Sequence, residues 1–274
     1  MRMLRVLGVH GIGTHRYHRR KGSAPEAAKA LAADWFQHLG TAMPSNSSVD
    51  LEVAYYAHHL HPESGHSLDE DPDSLSPSEQ HLLTEWIALL RPGMTAAPPE
   101  DRLALANDWL LRAHGPGTRL FALTFCRELH AYLDAEEARQ AATRSVAEAI
   151  DEQRPQVVVA HSLGSVVAYE ALWAHQEHDV DLLVTLGSPL AQPVVLDRLR
   201  PPENRTRPPL VRRWVNIADL DDIVAVPVRG ISREFKGVDE DLSIAAGMWE
   251  FQTPGAYLRS GDVADVVFGR RSLT

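Results

Sequence analysis

The chain is poor in several residue types and patterns, and each shortage removes a class of function. Among its 274 residues there is one cysteine, Cys126, which excludes an internal disulfide framework and a cysteine-based zinc cluster. Basic residues are outnumbered, 27 against 37 acids for a formal charge of −10, so there is no overall cationic character to draw a phosphate backbone, and nucleic acid is not an expected partner. No run approaches the roughly 18 apolar residues of a membrane span, and the apolar start Met-Arg-Met-Leu-Arg-Val-Leu is too short for a signal-peptide core. A soluble, cytoplasmic protein acting on a small-molecule substrate is the expectation, with no feature that sets an oligomeric state. A further shortage is positional. Of 14 histidines the last is His178, and the 96 residues after it contain none.

What is present is a chain that can build a large core, 44% apolar and 23% charged, without repeats or low-complexity tracts. Short runs rich in Val, Leu and Ile, at Leu4–Val9, Leu51–Tyr55, Gln156–Ala160, Leu182–Leu186 and Val211–Ile217, alternate with stretches of helical period such as Pro25–Leu39. That alternation predicts an α/β fold around a mainly parallel sheet. About 100 residues separate the second and third strands, more than one crossover needs. His61–Pro77 reads as a polar surface loop, followed by helices at Ser78–Leu90 (with Ser78 as cap), Pro99–Ala113, Arg119–Leu133 and Ala135–Asp151. The expectation is one domain over the whole chain with a helical insertion at about residues 61–134, either a lid or a packing layer.

The run Val157-Val158-Val159-Ala160-His161-Ser162-Leu163-Gly164-Ser165 carries chemistry in its spacing. A buried strand turns sharply into a helix at Ser162, with small residues two before and two after. Bulky side chains there would strike neighbouring backbone, and the helix start aims free amides, Leu163 N–H first, at charge developing near the serine. The alternative is a serine that only caps a helix. This run resembles the nucleophile elbow of the α/β-hydrolase superfamily, with Ala160 in place of the first glycine of G-x-S-x-G.

Val9-His10-Gly11-Ile12-Gly13-Thr14, at the end of the first strand, resembles the oxyanion loop of lipases and esterases in that superfamily. The resemblance makes Ile12 N–H the second oxyanion donor beside Leu163 and puts His10, Gly11 and His161 at the substrate, His10 chiefly as a support. The glycines do not fit a dinucleotide or phosphate loop, since there is neither a third glycine at the right spacing nor a Gly-Lys-Ser/Thr, so no cofactor is expected. A loop with Asp219, Asp221 and Asp222 follows Trp214-Val215-Asn216. The resemblance favours Asp222 as the acid that orients an imidazole, with Asp219 as runner-up and a solvated acidic turn as the plain alternative. Ser188, before Pro189, is not in an elbow context.

The resemblance then requires a histidine near Gly247–Leu258, where this chain has Glu250, Gln252 and Thr253. Gln252 occupies the expected position. Loss of a triad histidine costs about 10⁶ in turnover in a comparable enzyme, so either the base comes from elsewhere or the reaction is not Ser-His-Asp hydrolysis. Other sources are His161, which adjoins the serine but whose side chain should point in a different direction at the turn, His10 near the oxyanion loop, Glu250 if burial raises its pKa, and the His58-His59-His61-His66 cluster, which lacks the spacing of a metal site. The implied function is a lipase- or esterase-like serine hydrolase or acyl-transfer enzyme. The alternative is a protein of the same fold that catalyses a non-hydrolytic rearrangement, cyclisation or proton transfer on an apolar substrate, or only binds it.

Overall fold

A computed structural model describes residues 3–61, 74–174, 177–201, 205–226, 230–245 and 253–270. The chain divides into two compact units, one made of Met1–His58 with Ala141–Thr274 and the other of His59–Gln140.

The first unit is built on a six-stranded sheet in the order β2-β1-β3-β4-β5-β6, all five pairings parallel. Its strands are β1 (Leu4–Val9), β2 (Val49–Ala54), β3 (Val157–His161), β4 (Val180–Leu186), β5 (Val211–Asp219) and β6 (Glu240–Ile244). In register, Val9 stands beside Ala160, Ala160 beside Thr185, and Leu186 beside Ile217. Helices follow the strands: α1 (His15–Lys21) and α2 (Ala24–Gly40) after β1, α7 (Leu163–Ala174) after β3 and α8 (Pro193–Leu196) after β4, with α9 (Pro254–Leu258) and α10 (Gly261–Val267) closing the chain. This is an α/β protein with a parallel sheet and flanking helices.

The period of two along the strands accounts for the packing. Val6, Val157, Val159, Val184 and Val215 share one apolar cluster with Leu31 and Trp35 of α2, Tyr257 of α9 and Val263 of α10. Gly8 belongs to that face, and a Cβ there would come within 2.7 Å of the Trp35 ring, which is why β1 carries a glycine in mid-strand. β5 is held between its neighbours by a buried relay. Trp214 Nε1 donates to Thr185 Oγ1 (3.1 Å), Thr185 Oγ1 donates to Asn216 Oδ1 (2.9 Å) and Asn216 Nδ2 donates to Asp241 Oδ1 on β6 (2.9 Å).

The five expected strands are present within a few residues of their ends. β6 is an addition: Glu240-Asp241-Leu242-Ser243-Ile244 carries too many polar residues to read as a buried strand, as suits an edge. α1 is a second addition, since His-Arg-Tyr-His-Arg-Arg-Lys has no apolar period and buries no residue.

The second unit contains α3 (Pro77–Leu90), α4 (Pro99–His114) and α5 (Pro116–Asp134), which pack on one another, and the start of α6 (Glu136–Gln153). Its core includes Trp86 and Phe125, with ring centroids 4.7 Å apart. The cap of α3 is Ser76 rather than Ser78. Ser76 Oγ accepts from Glu79 N–H while the Glu79 carboxylate accepts from Ser76 N–H at 2.7 Å, a reciprocal box that needs the glutamate three residues on. Most of the expected His61–Pro77 loop, residues 62–73, lies outside the described residues. Among the described residues no helix is long and apolar enough to cross a membrane.

Candidate functional site

The strand order reverses direction once. From β1 the chain first adds β2 on one side, then returns to place β3 on the other. In open α/β sheets ligands bind outside the carboxyl ends of the strands at such a switch point. Here those ends are Val9-His10-Gly11 and His161-Ser162.

Ser162 stands at the turn between β3 and α7 with φ +52°, a left-handed backbone that a residue with a Cβ rarely adopts. Its amide is fixed by the Leu186 carbonyl at 2.9 Å, and its carbonyl accepts from Ser165 Oγ at 2.6 Å. Ser165 Oγ also meets Ser188 Oγ at 2.7 Å, which assigns both serines to the scaffold beneath the turn. The Ser162 side chain is buried at 3% exposure, and its Oγ has no hydrogen-bond partner among the described residues. A buried hydroxyl left unbonded costs about 1–3 kcal/mol.

The spacing of small residues has a direct cause. A Cβ on Gly164 would lie 2.3 Å from the His10 carbonyl oxygen and 2.5 Å from that of Val9, so the first turn of α7 packs directly on the end of β1. A Cβ on Gly11 would meet the Ser162 Cβ at 2.8 Å and His161 Nδ1 at 2.9 Å. The glycine loop therefore lies against the serine. Leu163 opens α7, and an amide in a first helical turn has no carbonyl four residues back to bond. Ile12, next to Gly11, is half-buried.

His10 braces this loop from behind. It is fully buried and stacked on Tyr56, with centroids 4.1 Å apart and planes 9° from parallel. Its Nε2 accepts from Tyr56 N–H at 3.1 Å, and its Nδ1 lies 2.9 Å from both Thr14 Oγ1 and the Gly11 carbonyl oxygen. Those partners require the neutral ring with the proton on Nδ1. Burial pushes its pKa down to about 3, against a weaker upward pull from the Gly11 carbonyl. Tyr56 OH in turn donates to the His10 carbonyl at 2.7 Å, and Tyr55 OH donates to that of Thr14 at 3.0 Å. His10 thus faces the interior, and what it contributes to the loop is the backbone it fixes.

The expected acid is on the other flank. Asp222 is buried, and its Oδ1 accepts from Val224 N–H at 2.8 Å and Ala225 N–H at 3.4 Å. Its Oδ2 accepts from Tyr257 OH at 2.6 Å, and the same phenol oxygen accepts from Asp219 N–H at 2.9 Å. Burial raises the Asp222 carboxyl to about 6 despite these hydrogen bonds, and burial beside a carboxylate holds the Tyr257 phenol far above its ordinary value. Asp219 is occupied with its own turn, accepting from Asp221 N–H at 2.8 Å.

Gly187, directly after β4, packs against this acid. Its amide donates to the Ile217 carbonyl, its φ is +54°, and a Cβ there would lie 2.5 Å from Asp222 Oδ2 and 3.0 Å from Tyr257 Oη. His161 leans on the Tyr257 ring at 5.8 Å. Ser162, Gly11, His161, Tyr257 and Asp222 are therefore connected by direct contacts. Gln252 and Glu250 lie outside the described residues.

Tyr257 escaped the sequence reading as a site residue. The Tyr257-Leu258 pair is a landmark of the resemblance near the expected histidine, but nothing local points to the contact of Tyr257 with Asp222, 35 positions away. Among the described residues no group of three or more His, Cys, Asp or Glu side chains could hold a metal ion.

No family model, curated protein or solved structure matches this chain.

Proposed function

We propose that this chain is a serine hydrolase or acyl-transfer enzyme of the α/β-hydrolase type, acting on an ester or related acyl substrate. The observation that carries the reading is Ser162 itself, a non-glycine residue at φ +52° with a buried, unpartnered hydroxyl, packed against a glycine loop at the switch point of the sheet. Strain of that kind persists only where the surroundings enforce it. The chain order of Ser162 before Asp222 also suits this type.

In this reading the Ser162 oxygen attacks the acyl carbon and its proton passes to a base. The carbonyl oxygen becomes an oxyanion held by Ile12 and Leu163 N–H. The bond to the leaving alkoxide then breaks, and the alkoxide takes up the proton. Water or another alcohol attacks the acyl-serine by the same path, so ester and water yield acid and alcohol. His161, which shares the Gly11 contact with Ser162, is the imidazole assigned to the proton.

A second reading rests on Tyr257. Its phenol occupies the Asp222 oxygen that would otherwise orient an imidazole, and this favours a pocket adapted to a non-hydrolytic reaction or to binding.

A fluorophosphonate probe separates the two. Covalent labelling that disappears in Ser162→Ala and slows by about 10²–10⁴-fold in His161→Gln is expected for a hydrolase. A folded wild-type protein that never labels would sink the first reading in favour of the second.

A further inference from the structure

The element that leaves the glycine loop has a charge out of keeping with the rest of the molecule. Within the seven residues of α1 stand Arg16, Arg19, Arg20 and Lys21, all exposed, in a chain whose acids outnumber its bases by ten. Several cations elsewhere are paired, Arg112 with Asp108, Arg207 with Asp239, Arg212 with Asp179 and Arg270 with Asp265, while others that stand singly, such as Arg91, Arg154 and Arg233, form no ion pair among the described residues. Among the described residues none of the four on α1 forms an ion pair. The nearby acids of α2 are bonded elsewhere, Glu26 to Lys29 at 2.8 Å and Asp34 to the Tyr17 hydroxyl, and only Lys21 of the four acts on Glu26, through space.

Arg16, Arg19 and Arg20 stand at positions i, i+3 and i+4, so they share one helix face and repel one another. A helix dipole favours cations in the last turn, which accounts in part for Arg19, Arg20 and Lys21. It does not account for Arg16, which sits in a first turn that has no acid and lies 5.5 Å over the Tyr17 ring, a contact that holds the guanidinium without neutralising it. A cluster of exposed cations that form no ion pair among the described residues is what a surface for an anion requires.

α1 is also held at the carboxyl end of the sheet. It begins one residue after Thr14, which is bonded to His10 and to Tyr55 OH. His18 on its inner side stacks on Tyr55 and, at 5.6 Å, on His58. Seven residues of helix span roughly 10 Å. The first of the cations, Arg16, is four residues along the chain from Ile12.

We propose that α1 recognises an anionic group, phosphate or carboxylate, carried on the acyl substrate whose carbonyl is presented to Ser162. The proposal rests on the hydrolase reading for the carbonyl and on α1 alone for the anion.

Two p-nitrophenyl esters test it, the neutral butyrate and the monoester of glutarate, which ends in a carboxylate. The expected result is a kcat/KM ratio favouring the glutarate ester that falls roughly tenfold or more in Arg16→Glu/Arg19→Glu/Arg20→Glu, with the loss residing in KM. In the wild type the ratio falls as salt rises from about 0.05 to about 0.5 M. Arg19→Gln/Arg20→Gln, a milder change, gives an intermediate ratio, and circular dichroism verifies the fold of each variant.

Calorimetric titration of butylphosphonate into Ser162→Ala, with and without the charge reversals, reads the anion site without catalysis. Charge-dependent binding together with absent hydrolysis supports the anion site while removing the hydrolase reading. Hydrolysis with no preference between the esters and no charge-dependent binding overturns the proposal. Charge-dependent sedimentation with phosphatidylserine vesicles, without binding of butylphosphonate, overturns it in favour of a membrane surface.

Discussion

On one side of Ser162, at the end of β1, a neutral network of His10, Thr14, Tyr55 and Tyr56 comes from two short segments and fixes the glycine loop through bonds of 2.7–3.1 Å. On the other, at the end of β5, a buried carboxylate is held by a tyrosine and two amides drawn from the Asp222 turn and α9, with Gly187 of a third segment pressed against them. The first flank places backbone and has no charge to spare. The second keeps an acid away from water, with a phenol as its only side-chain partner among the described residues. Burial drives both His10 and Asp222 toward their uncharged forms. Because one is a base and the other an acid, that common cause gives pH dependences of opposite sign.

The largest effect is expected from breaking the first flank. His10→Ala removes a fully buried ring and leaves Tyr56 N–H without its acceptor, for a loss of about 4 kcal/mol measured by urea unfolding at pH 7. The folded-state pKa of about 3 lies below the ordinary 6.5, so the stability His10 contributes is complete above pH 6.5 and drains away as pH falls toward 3. The drain reaches about 5 kcal/mol. His10→Gln should lose this slope. If wild type and His10→Gln decline in parallel from pH 6.5 to 4, the ring is not held neutral.

Asp222→Asn probes the second flank, with a smaller change of the opposite sign. The folded carboxyl titrates near 6 and the unfolded one near 3.8, so between those values the folded state binds the extra proton and stability falls as pH rises. Relative to Asp222→Asn, the wild type should lose up to about 3 kcal/mol between pH 4 and pH 6 and nothing further above pH 7. Thermal unfolding of the pair across that range checks it, and a wild type that gains stability over the same interval refutes a buried, proton-seeking Asp222.

Tyr257→Phe sharpens the contrast at a cost of about 1–3 kcal/mol, since it orphans Asp219 N–H and removes a bond to the carboxylate. That bond pulls the Asp222 pKa down, so its loss extends the falling limb of the stability curve to higher pH while its onset near 3.8 stays put. A Phe variant whose limb ends where that of the wild type does would show that the phenol does not bear on the acid.

The two flanks also differ in how far the sequence discloses them. Val9 to Thr14 is a strand followed by a glycine loop, and its contact with Ser162 follows from smallness at Gly11 and Gly164, so local pattern suffices there. Ser162 was legible for the same reason, a buried valine run meeting a helix at a residue flanked by Ala160 and Gly164. Asp222 was legible only as one of three acids in a loop, and what singles it out is contact with Gly187 and Tyr257, 35 residues in either direction. The contact with Tyr257 carries no mark in a sequence, because a phenol beside an acid is a product of the fold. β6 and α1 were missed for a related reason. Their polar residues are used in tertiary bonds or left on the surface, so neither has the apolar period by which elements are recognised.

Two glycines of the loop that follows β1 give the finest cut between backbone and site. Gly13 has φ +73° and open space where a Cβ would stand, with no atom within 4 Å, so Gly13→Ala meets only the left-handed backbone penalty, about 1 kcal/mol, and should leave the rate of fluorophosphonate labelling at Ser162 within about twofold. Gly11 has no such φ, yet its Cβ would press on both Ser162 and His161 at less than 3 Å. Gly11→Ala should therefore disturb the site as well as the fold, slowing labelling by about tenfold or more while overpacking lowers stability by about 1–3 kcal/mol. If both variants label alike, the loop does not position the serine, and the reading of β1 as the flank that places backbone for the reaction fails with it.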